Sequence, residues 1–281
     1  MAGTRMAIFD NHFHLRPTGL GVVAAKQFEK AGGTALMLTH SPYEDIPIRR
    51  AEDYGIAYAR TLDLARQVRE QTGLKVFVAL GPYPVDLLPL REALGLVAAA
   101  EVLRRGVDLA GRHVARGEAV AIGEVGRPHF PVDADTWRAS NEIMGHAMEV
   151  ARDRGCAVIL HTEDPTRDTF REFAAMADTS RLPRSRVVKH HSMPLTKRED
   201  NQGIVPSILA KEDLLVEAVK GDPFFLETDY IDDPRRPGAV LGSATVPKKT
   251  RMWIERGILS EELAARIHCE LPHRTYGIDL D

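Results

Sequence analysis

Two histidines spaced two residues apart are the first sign of chemistry in this sequence. They occur in the segment Asp10-Asn11-His12-Phe13-His14, directly after the apolar run Met6–Phe9. Side chains two residues apart on a strand project to the same face, so His12 and His14 can point at one centre. Imidazole nitrogens are common ligands of divalent metals. Taken alone, the pair fits a metal site or two histidines at a solvated strand end equally well.

Metal-competent side chains also follow several of the other apolar runs. Such positions hold Glu124, His161, the pair His190-His191 and Asp229. In a (β/α)8 barrel the carboxyl ends of all strands converge on the face that carries the active site. We therefore expect these residues to meet, although they are far apart in the sequence.

The residue types indicate the metal and the reaction. Four histidines, a glutamate and an aspartate form a mixed nitrogen and oxygen set, which suits transition ions better than Ca²⁺. One ion does not need so many ligands, whereas two ions about 3.5–4 Å apart, bridged by a carboxylate and a hydroxide, would use them all. Such a pair clamps both the attacking and the leaving oxygen of a hydrolysis. The set therefore predicts a hydrolase with two divalent ions: Zn, Mn or Mg.

Eight short apolar runs, separated by longer amphipathic stretches, are the elements that must position these residues. This alternation is typical of βα units around a parallel sheet. The runs are Met6–Phe9, Thr34–Thr39, Lys75–Leu80, Ala119–Gly123, Ala157–Leu160, Arg186–Lys189, Gly203–Ile208 and Phe224–Glu227. The seventh is the weakest, because Pro206 interrupts it. We predict an α/β fold, a TIM (β/α)8 barrel, with residues 1–281 as one domain because no linker or repeat breaks the rhythm.

Helical spacing marks the stretches between the runs. From Ala51 to Glu70, apolar residues recur every three or four positions, as on the buried face of a helix. The same pattern predicts helices at Gly19–Lys30, Arg91–Arg116, Asp135–Arg154, Pro165–Ala177, Lys211–Lys220, Val246–Arg256 and Ser260–Cys269. The Pro-rich segment Asp232–Pro237 follows the eighth run, where a barrel would carry an active-site loop.

The composition is that of a globular protein. The 281 residues include 37 basic and 40 acidic side chains, a formal net charge of −3. This balance argues against capture of nucleic acid by bulk electrostatic attraction. Two cysteines, Cys156 and Cys269, form no disulfide framework, and neither a secretion signal nor an apolar run of about 18 residues is visible. We therefore expect a cytoplasmic protein without a membrane span.

The combination of motifs covers almost the whole chain. It consists of Asp10-x-His12-x-His14, Gly-Glu-x-Gly at Gly123–Gly126, a histidine after each of the fifth and sixth runs, Glu-Thr-Asp at Glu227–Asp229 and a closing segment from Glu270 to Ile278. In this combination the sequence resembles the TatD-type metal-dependent hydrolases, the TatD-related deoxyribonuclease family. These proteins are TIM barrels of the amidohydrolase superfamily.

The resemblance implies a role for each ligand. The family pattern divides them between a first ion, held by His12, His14 and Asp229, and a second ion, held by His161 and His190, with Glu124 as the bridge. Asp229 would also hold and deprotonate the bridging water. His190 is preferred to His191 because it follows the apolar run more closely, but an error of one residue in strand register would exchange them.

Departures from the family pattern mark candidate substrate contacts. Where the family usually has Gly-x-His-Pro, this chain has Gly81-Pro82-Tyr83-Pro84, so the neutral phenol of Tyr83 replaces a histidine. In place of a Leu-Asp pair, the chain has Arg127-Pro128-His129, which adds positive charge near the site. A guanidinium pairs with phosphate in a bidentate manner, so Arg127 favours a phosphate group. We expect Tyr83, Arg127 and His191 to contact the substrate.

His40 and Lys189 also lie near strand ends, but the resemblance gives neither of them a metal. In phosphotriesterase and lactonase relatives a carboxylated lysine on the fourth strand bridges the metals, whereas this chain offers Glu124 there. Alternation along the strand turns Lys189 away from His190, into the barrel wall or a salt bridge. We expect His40 to have a supporting or structural role.

The resemblance implies hydrolysis of phosphoester bonds, with DNA ends as the family's substrate. The motifs support hydrolysis more firmly than DNA, because an acidic chain without a nucleic-acid-binding motif needs a local basic rim to hold a polyanion. A small phosphodiester is the other phosphoester substrate. The alternatives are a lactonase, phosphotriesterase or amidase acting on a small molecule, and a barrel that binds metal without turnover.

Overall fold

A computed structural model describes residues 6–280 and shows eight parallel strands arranged in sequence order. The strands are β1 (Phe9–Phe13), β2 (Ala35–Thr39), β3 (Lys75–Leu80), β4 (Ala121–Gly126), β5 (Ala157–His161), β6 (Val187–Lys189), β7 (Val205–Leu209) and β8 (Phe225–Glu227). Each strand pairs with the next. A parallel bridge between Phe13 and Tyr230 joins the last segment to the first. The predicted single-domain TIM barrel is confirmed; residues 1–5 and 281 of the expected domain lie outside the described part.

Helices connect the strands and pack on the outside of the barrel. They are α1 (Val22–Lys30), α2 (Ala51–Gln71), α3 (Leu87–Leu94), α4 (Leu96–Ala115), α5 (Ala134–Arg154), α6 (Arg167–Ser180), α7 (Arg198–Asn201), α8 (Glu212–Ala218), α9 (Thr245–Glu255), α10 (Glu261–Ala265) and α11 (Leu271–Tyr276). A π-helical stretch, Arg266–Glu270, joins the last two. In α4 the buried residues Ala99, Leu103 and Val107 repeat every four positions, which gives the helix one core-facing side. Within residues 6–280, no helix has the length and apolarity to cross a membrane.

β1 and β4 extend furthest into polar sequence beyond their apolar runs, and β5 includes one polar residue, His161. β1 begins at Phe9 instead of Met6 and includes Asp10, Asn11 and His12, which were expected to follow it, whereas His14 lies just beyond its end. β4 continues past Gly123 through Glu124. In both strands the pairing register shifts at the polar residues. The polar residues of these two strands therefore belong to the barrel wall and not to loops. Their side chains are buried.

One predicted helix is divided. The amphipathic stretch Arg91–Arg116 forms the end of α3 and the whole of α4, which meet at Gly95. The backbone φ of Gly95 is +81°, a conformation that glycine adopts without the steric cost of a side chain. The single predicted helix is therefore interrupted at Gly95, although the spacing of apolar residues continues across it.

The amino-terminal end of the barrel is filled with apolar side chains and closed by the C-terminal segment. We call this layer the barrel floor; it contains Phe9, Ala35, Ala79, Ala121, Ala157, Val188, Val205 and Phe225, covered by Leu271, Tyr276, Ile278 and Leu280. The ring of Phe225 stacks on Tyr276 with centroids 5.3 Å apart and meets Phe9 edge-on at 6.0 Å. Burial of these side chains stabilises the closed barrel by removing apolar surface from water.

A buried polar layer lies between the floor and the carboxyl ends of the strands. Asn11 donates a hydrogen bond from Nδ2 to Ser207 Oγ (3.0 Å) and accepts one from Tyr276 Oη (2.8 Å). Ser207 in turn donates to the carboxylate of Glu227. Asn11, Ser207 and Glu227 are completely buried, and each finds a partner within this chain of bonds. The polar layer thus connects β1, β7, β8 and the C-terminal helix.

Candidate metal centre

The predicted ligands come together at the carboxyl ends of the strands. Nε2 of His12 lies 2.7 Å from Oε1 of Glu124 and 3.2 Å from Nε2 of His14. Nε2 of His14 is 3.6 Å from Oδ1 of Asp229. The cluster contains two overlapping groups, one of His12, Glu124 and His190 and one of His12, His14 and Asp229. Within each group the ligand atoms lie within 4.8 Å of one another.

Glu124 occupies the middle of the cluster. Its Oε1 faces His12 and also lies 3.2 Å from Nε2 of His190. Its Oε2 lies 3.6 Å from Nδ1 of His161, which is itself 3.0 Å from Nε2 of His190. One carboxylate therefore reaches both the histidines of β1 and those that follow β5 and β6, which is the position that a bridging ligand requires.

The carboxylates of the cluster are held in their ionised form. Burial alone would raise the pKa of Glu124, but the nearby imidazoles of His161 and His190 hold that pKa well below its usual range. Burial also opposes ionisation of Asp229, yet contacts with His14 and His191 keep its pKa well below the ordinary value. These groups can therefore bind a cation at neutral pH.

The histidines differ in their tendency to take up a proton. Burial would lower the pKa of His12, but the hydrogen bond and the charge of Glu124 raise it to about 9. Burial lowers the pKa of His190 to about 4, so its ring is neutral at neutral pH. A divalent ion would replace the proton on His12 and would use the free nitrogen of His190.

The donor set fits a divalent transition ion. The nitrogens of His12 and His14 face each other at 3.2 Å between two carboxylates, and Nδ1 of His12 has no hydrogen-bond partner within residues 6–280. If each Nε2 atom donates to its carboxylate, the two N–H groups oppose each other; if one Nε2 is unprotonated and accepts from the other ring, it cannot donate to its carboxylate. A cation such as Zn²⁺ or Mn²⁺ accepts all of them as ligands.

Groups around the cluster hold its members in place. Nδ1 of His14 lies 2.9 Å from the carbonyl oxygen of Thr39, which fixes the orientation of the ring. The Asp10 carboxylate accepts hydrogen bonds from the backbone nitrogen (3.0 Å) and the hydroxyl (2.8 Å) of Thr228. Burial raises the pKa of Asp10 to about 7. Asp10 thereby ties β1 to the segment that leads to Asp229.

Glu227 is a functional candidate that the sequence indicates only as part of the Glu-Thr-Asp motif. Its Oε1 accepts a hydrogen bond from the backbone nitrogen of His191 (2.7 Å) and lies 3.4 Å from Nδ1 of His190. A carboxylate behind a ligating imidazole orients the ring and increases its basicity. The alternation of side chains along a strand could have identified Glu227, because it shares a face of β8 with Phe225, whose ring lies in the barrel floor.

Two of the three predicted substrate contacts lie beside the cluster. The ring of Tyr83 meets that of His161 edge-on, with centroids 5.2 Å apart. Nδ1 of His191 lies 3.2 Å from Oδ2 of Asp229, and the His191 side chain is 46% exposed. His190, in contrast, is the one of the adjacent histidines that reaches Glu124. Contact of Tyr83 and His191 with a substrate stays a prediction.

Arg127 is not brought to the cluster, which corrects the expectation that it faces the substrate. Its guanidinium is 1% exposed and bonds Glu163 (2.9 and 2.5 Å), Glu172 (2.8 Å) and Asn141 (2.8 Å). It also stacks on the ring of Trp137 at 3.9 Å. A buried guanidinium needs such partners, and helices α5 and α6 supply them together with the loop after β5. Arg127 therefore anchors the barrel wall.

His129 lies beside the metal centre, although the sequence indicates for it only a positive charge near the site. Its Nδ1 is 3.0 Å from Nε2 of His161. Burial and the neighbouring His161 lower the pKa of His129, so it does not add the positive charge that was expected. Since the other nitrogen of His161 faces Glu124, His129 holds the far side of a predicted ligand.

His40 and Lys189 are packed in the barrel wall. Nδ1 of His40 lies 2.9 Å from the hydroxyl of Thr61, and burial lowers the pKa of His40 to about 3. Nζ of Lys189 donates to the carbonyl oxygens of His190 (2.6 Å) and Thr162 (3.3 Å), and burial lowers its pKa to about 8. Both residues thus support the backbone near the cluster.

The Pro-rich loop after β8 is attached to the loop after β1. The carboxylate of Asp232 accepts hydrogen bonds from the backbone nitrogens of Arg16 (3.1 Å), Leu20 (2.7 Å) and Gly21 (2.8 Å). Gly19 lies so close to this carboxylate that a Cβ atom would collide with it. The predicted active-site loop is therefore fixed at its start to the segment that leads into α1.

Comparison with known protein families agrees with this geometry. Residues 9–277 match the family model described as TatD related DNase. The chain belongs to the TatD family. The TatD-family chain is also 38% identical over 282 residues to an uncharacterized protein of Methanocaldococcus jannaschii, and this match covers 98% of both proteins.

Solved structures share the fold of this TatD-family protein. A TatD homolog from Escherichia coli is 19% identical, with a TM-score of 0.65 over 98% of this chain and 100% of that chain. A TatD-like protein from Archaeoglobus fulgidus is 17% identical, with a TM-score of 0.60 over 92% and 95% of the two chains. The phosphotriesterase homology protein from Escherichia coli, complexed with phosphate, is 14% identical, with a TM-score of 0.64 over 97% and 99%.

Proposed function

We propose that this TatD-family protein is a divalent-metal-dependent phosphoester hydrolase that acts in the cytoplasm. The observation that carries the proposal is the buried contact of Glu124 with histidines from three strand ends, beside Asp229. Uncompensated polar groups are costly to bury, so a cluster of this kind is expected to have a ligand. The family membership supports a hydrolase.

Two ions fit the arrangement of donors. His12, His14 and Asp229 would hold one ion and His161 and His190 the other, with Glu124 between them. When bound, the ions would lower the pKa of a water molecule and neutralise charge that develops on the phosphoryl oxygens.

Asp229 is the proposed base. Its carboxylate is ionised and can therefore accept a hydrogen bond, and then a proton, from a water molecule whose own pKa a bound ion would lower. Its Oδ2 lies 3.2 Å from Nδ1 of His191, whose side chain is 46% exposed. A proton taken up by Asp229 thus has a short path to an imidazole in contact with solvent.

The surroundings of the site favour a compact substrate. A cavity of about 590 Å³ opens on the same face of the barrel, among the segments that follow β1, β2 and β8, although none of the predicted ligands lines it. Its lining combines the cations of Arg16, Arg60 and Arg235 with the anions of Glu44, Asp45 and Asp233, which pair with them. A lining of mixed charge suits a small phosphodiester or a terminal nucleotide better than a long polyanion. The phosphate complex of the structurally similar phosphotriesterase homology protein supports a phosphoester.

Activity of metal-reconstituted protein on a substrate panel tests the proposal. The panel contains 3′-ended oligonucleotides, simple phosphodiesters, lactones and amides, each with and without a chelator. We expect metal-dependent turnover of at least one phosphoester. Turnover of a lactone or amide without any phosphoester would overturn the substrate class, and activity that resists complete metal removal would overturn the mechanism.

Replacement of the proposed base provides the matched test. Asp229→Asn should lower the rate about 10²- to 10⁴-fold while elemental analysis still finds at least one bound ion. Asp213→Asn, on the exposed face of α8, makes the same chemical change away from the site and should keep full activity. Full activity of Asp229→Asn would show that another group removes the proton.

A further inference from the structure

A second cavity lies at the end of the barrel opposite to the candidate metal centre. Its volume is about 530 Å³, within the range of small-molecule sites. It is bordered by the segments that precede β6, β7 and β8 and by the C-terminal segment. Four arginines line it: Arg184, Arg198, Arg266 and Arg274. We call it the arginine cavity.

The positive charge of the arginine cavity is only partly compensated. Arg184 pairs with Asp178 at 2.6 Å, and Arg266 lies at 4.0 Å from Glu270, too far for a hydrogen bond. The side chains of Arg198 and Arg274 make no hydrogen bond or ion pair with any residue in the described range 6–280.

The lining contains few acidic side chains that could neutralise these arginines. Asp222 is the one acidic residue among the lining residues that the structure describes. Two guanidinium groups and part of a third are therefore free to bind an anion.

The shape of the cavity keeps these cations accessible. Gly203 has a φ of +87°, and a Cβ built on it would lie 3.8 Å from both the guanidinium carbon of Arg198 and Cβ of Arg184. The glycine thus leaves the space between the two arginines open. Ile204 and Pro223 form an apolar part of the wall. Apolar walls lower the local dielectric constant and strengthen the attraction between an arginine and a bound anion.

We propose that the arginine cavity binds a small molecule with two adjacent phosphate groups. A guanidinium presents a planar fork of donors that matches phosphate oxygens, and several such forks around one concave site suit a diphosphate better than a single carboxylate. The concave shape favours a small molecule over a nucleic-acid strand, which needs an extended groove. This site is separate from the proposed reaction, because its residues lie at the amino-terminal ends of the strands.

Isothermal titration calorimetry with inorganic pyrophosphate tests the site directly. The titration uses metal-free full-length protein in the presence of a chelator, so that neither a metal ion nor turnover contributes. We expect saturable binding that the double variant Arg198→Ala/Arg274→Ala weakens about tenfold or more. The variant Arg198→Lys/Arg274→Lys should show a smaller loss, because lysine keeps the charge but not the fork.

A matched control distinguishes binding at the arginine cavity from nonspecific attraction between pyrophosphate and positive charge elsewhere on the protein. Arg112 is an exposed arginine in the last turn of α4, so Arg112→Ala removes one cation elsewhere and should leave pyrophosphate affinity unchanged. Arg184 is not replaced, because its guanidinium is already bonded to Asp178 and to the carbonyl oxygen of Gln202. Thermal unfolding monitors each variant, and the two single variants replace the double variant if that protein does not fold.

Three outcomes would overturn the proposal. One is the absence of saturable pyrophosphate binding to the native chain. Another is an equal loss of affinity in Arg112→Ala, which would reveal nonspecific attraction. The third is an oligonucleotide whose binding depends on Arg198 and Arg274 while pyrophosphate binding does not. Because the assay contains no metal and measures no turnover, its result is independent of the proposed phosphoester hydrolysis.

Discussion

The two ends of the barrel interior are built from the same strands but have opposite chemistry. Along β8 and the residues after it, interior positions pass from Phe225 in the floor to Glu227 in the polar layer and then to Asp229 at the metal centre. Apolar burial at the floor stabilises the fold, whereas buried charges at the other end cost free energy unless they are paired or bind a cation. Stability and chemistry are thus separated along the barrel axis.

The largest expected effect is at the floor. Phe225→Ala removes a completely buried ring that contacts Phe9 and Tyr276 and should lower the free energy of unfolding by about 3–5 kcal/mol. Urea unfolding of the metal-free protein measures this loss. The metal content of the folded variant should equal that of the native chain. A variant of native stability that has lost its metal would contradict the separation of the two ends.

A substitution in the polar layer should instead affect metal binding more than it affects stability. Glu227→Gln removes the charge behind His190 and should lower metal affinity or activity about 10- to 100-fold, with a smaller effect on unfolding than Phe225→Ala. Competition with a chromophoric chelator measures the affinity. Glu217→Gln, an exposed change on α8, is the control. If both variants bind metal equally well, Glu227 has no part in the centre.

A buried histidine makes the floor end sensitive to acid. Nδ1 of His268 accepts a hydrogen bond from the backbone nitrogen of Phe9 (3.1 Å), and burial lowers the pKa of His268 to about 4. The unfolded chain, with a pKa near 6.5, binds this proton more readily, so stability falls as the pH drops from about 6.5 towards 4.

This effect has a measurable size. The single group should account for about 2 kcal/mol of the stability lost between pH 7 and pH 5. His268→Asn should be less stable at pH 7 but should lose correspondingly less on acidification. Unfolding curves at both pH values measure the difference; an unchanged pH slope in the variant would assign the acid sensitivity to other groups.

The smallest expected effect concerns the rim of the metal centre. Tyr83→Phe removes only a hydroxyl that we expect to contact the substrate, and one neutral hydrogen bond corresponds to about a 2- to 10-fold change in affinity. KM should rise while kcat stays constant, since this contact binds substrate and transition state alike. Steady-state kinetics separates the two constants. A fall in kcat at constant KM would instead give Tyr83 a part in the chemical step.

The barrel was predictable because its strands are short apolar runs between amphipathic helices, a pattern that needs only local information. The ends of β1 and β4 were not, because buried polar residues such as Asp10 and Glu124 look like loop residues when polarity alone is considered. The break at Gly95 was also missed, since the apolar spacing continues across it.

The site was predictable to the extent that strand ends must converge. Arg127 was misplaced because its partners, Glu163 and Glu172, come from segments whose packing the sequence does not reveal. For the same reason the sequence does not reveal the arginine cavity, which Arg184 and Arg274 line although they are 90 residues apart in the sequence. Such meetings depend on how helices and loops pack, and no local pattern encodes them.

The Asp232 carboxylate has a consequence for how the rim can move. It accepts hydrogen bonds from three backbone amides of the neighbouring segment. The connections that leave the first and the eighth strand are therefore attached to each other through one side chain. These hydrogen bonds couple the two connections mechanically, so a displacement of one should displace the other. An arriving molecule would displace both together or neither.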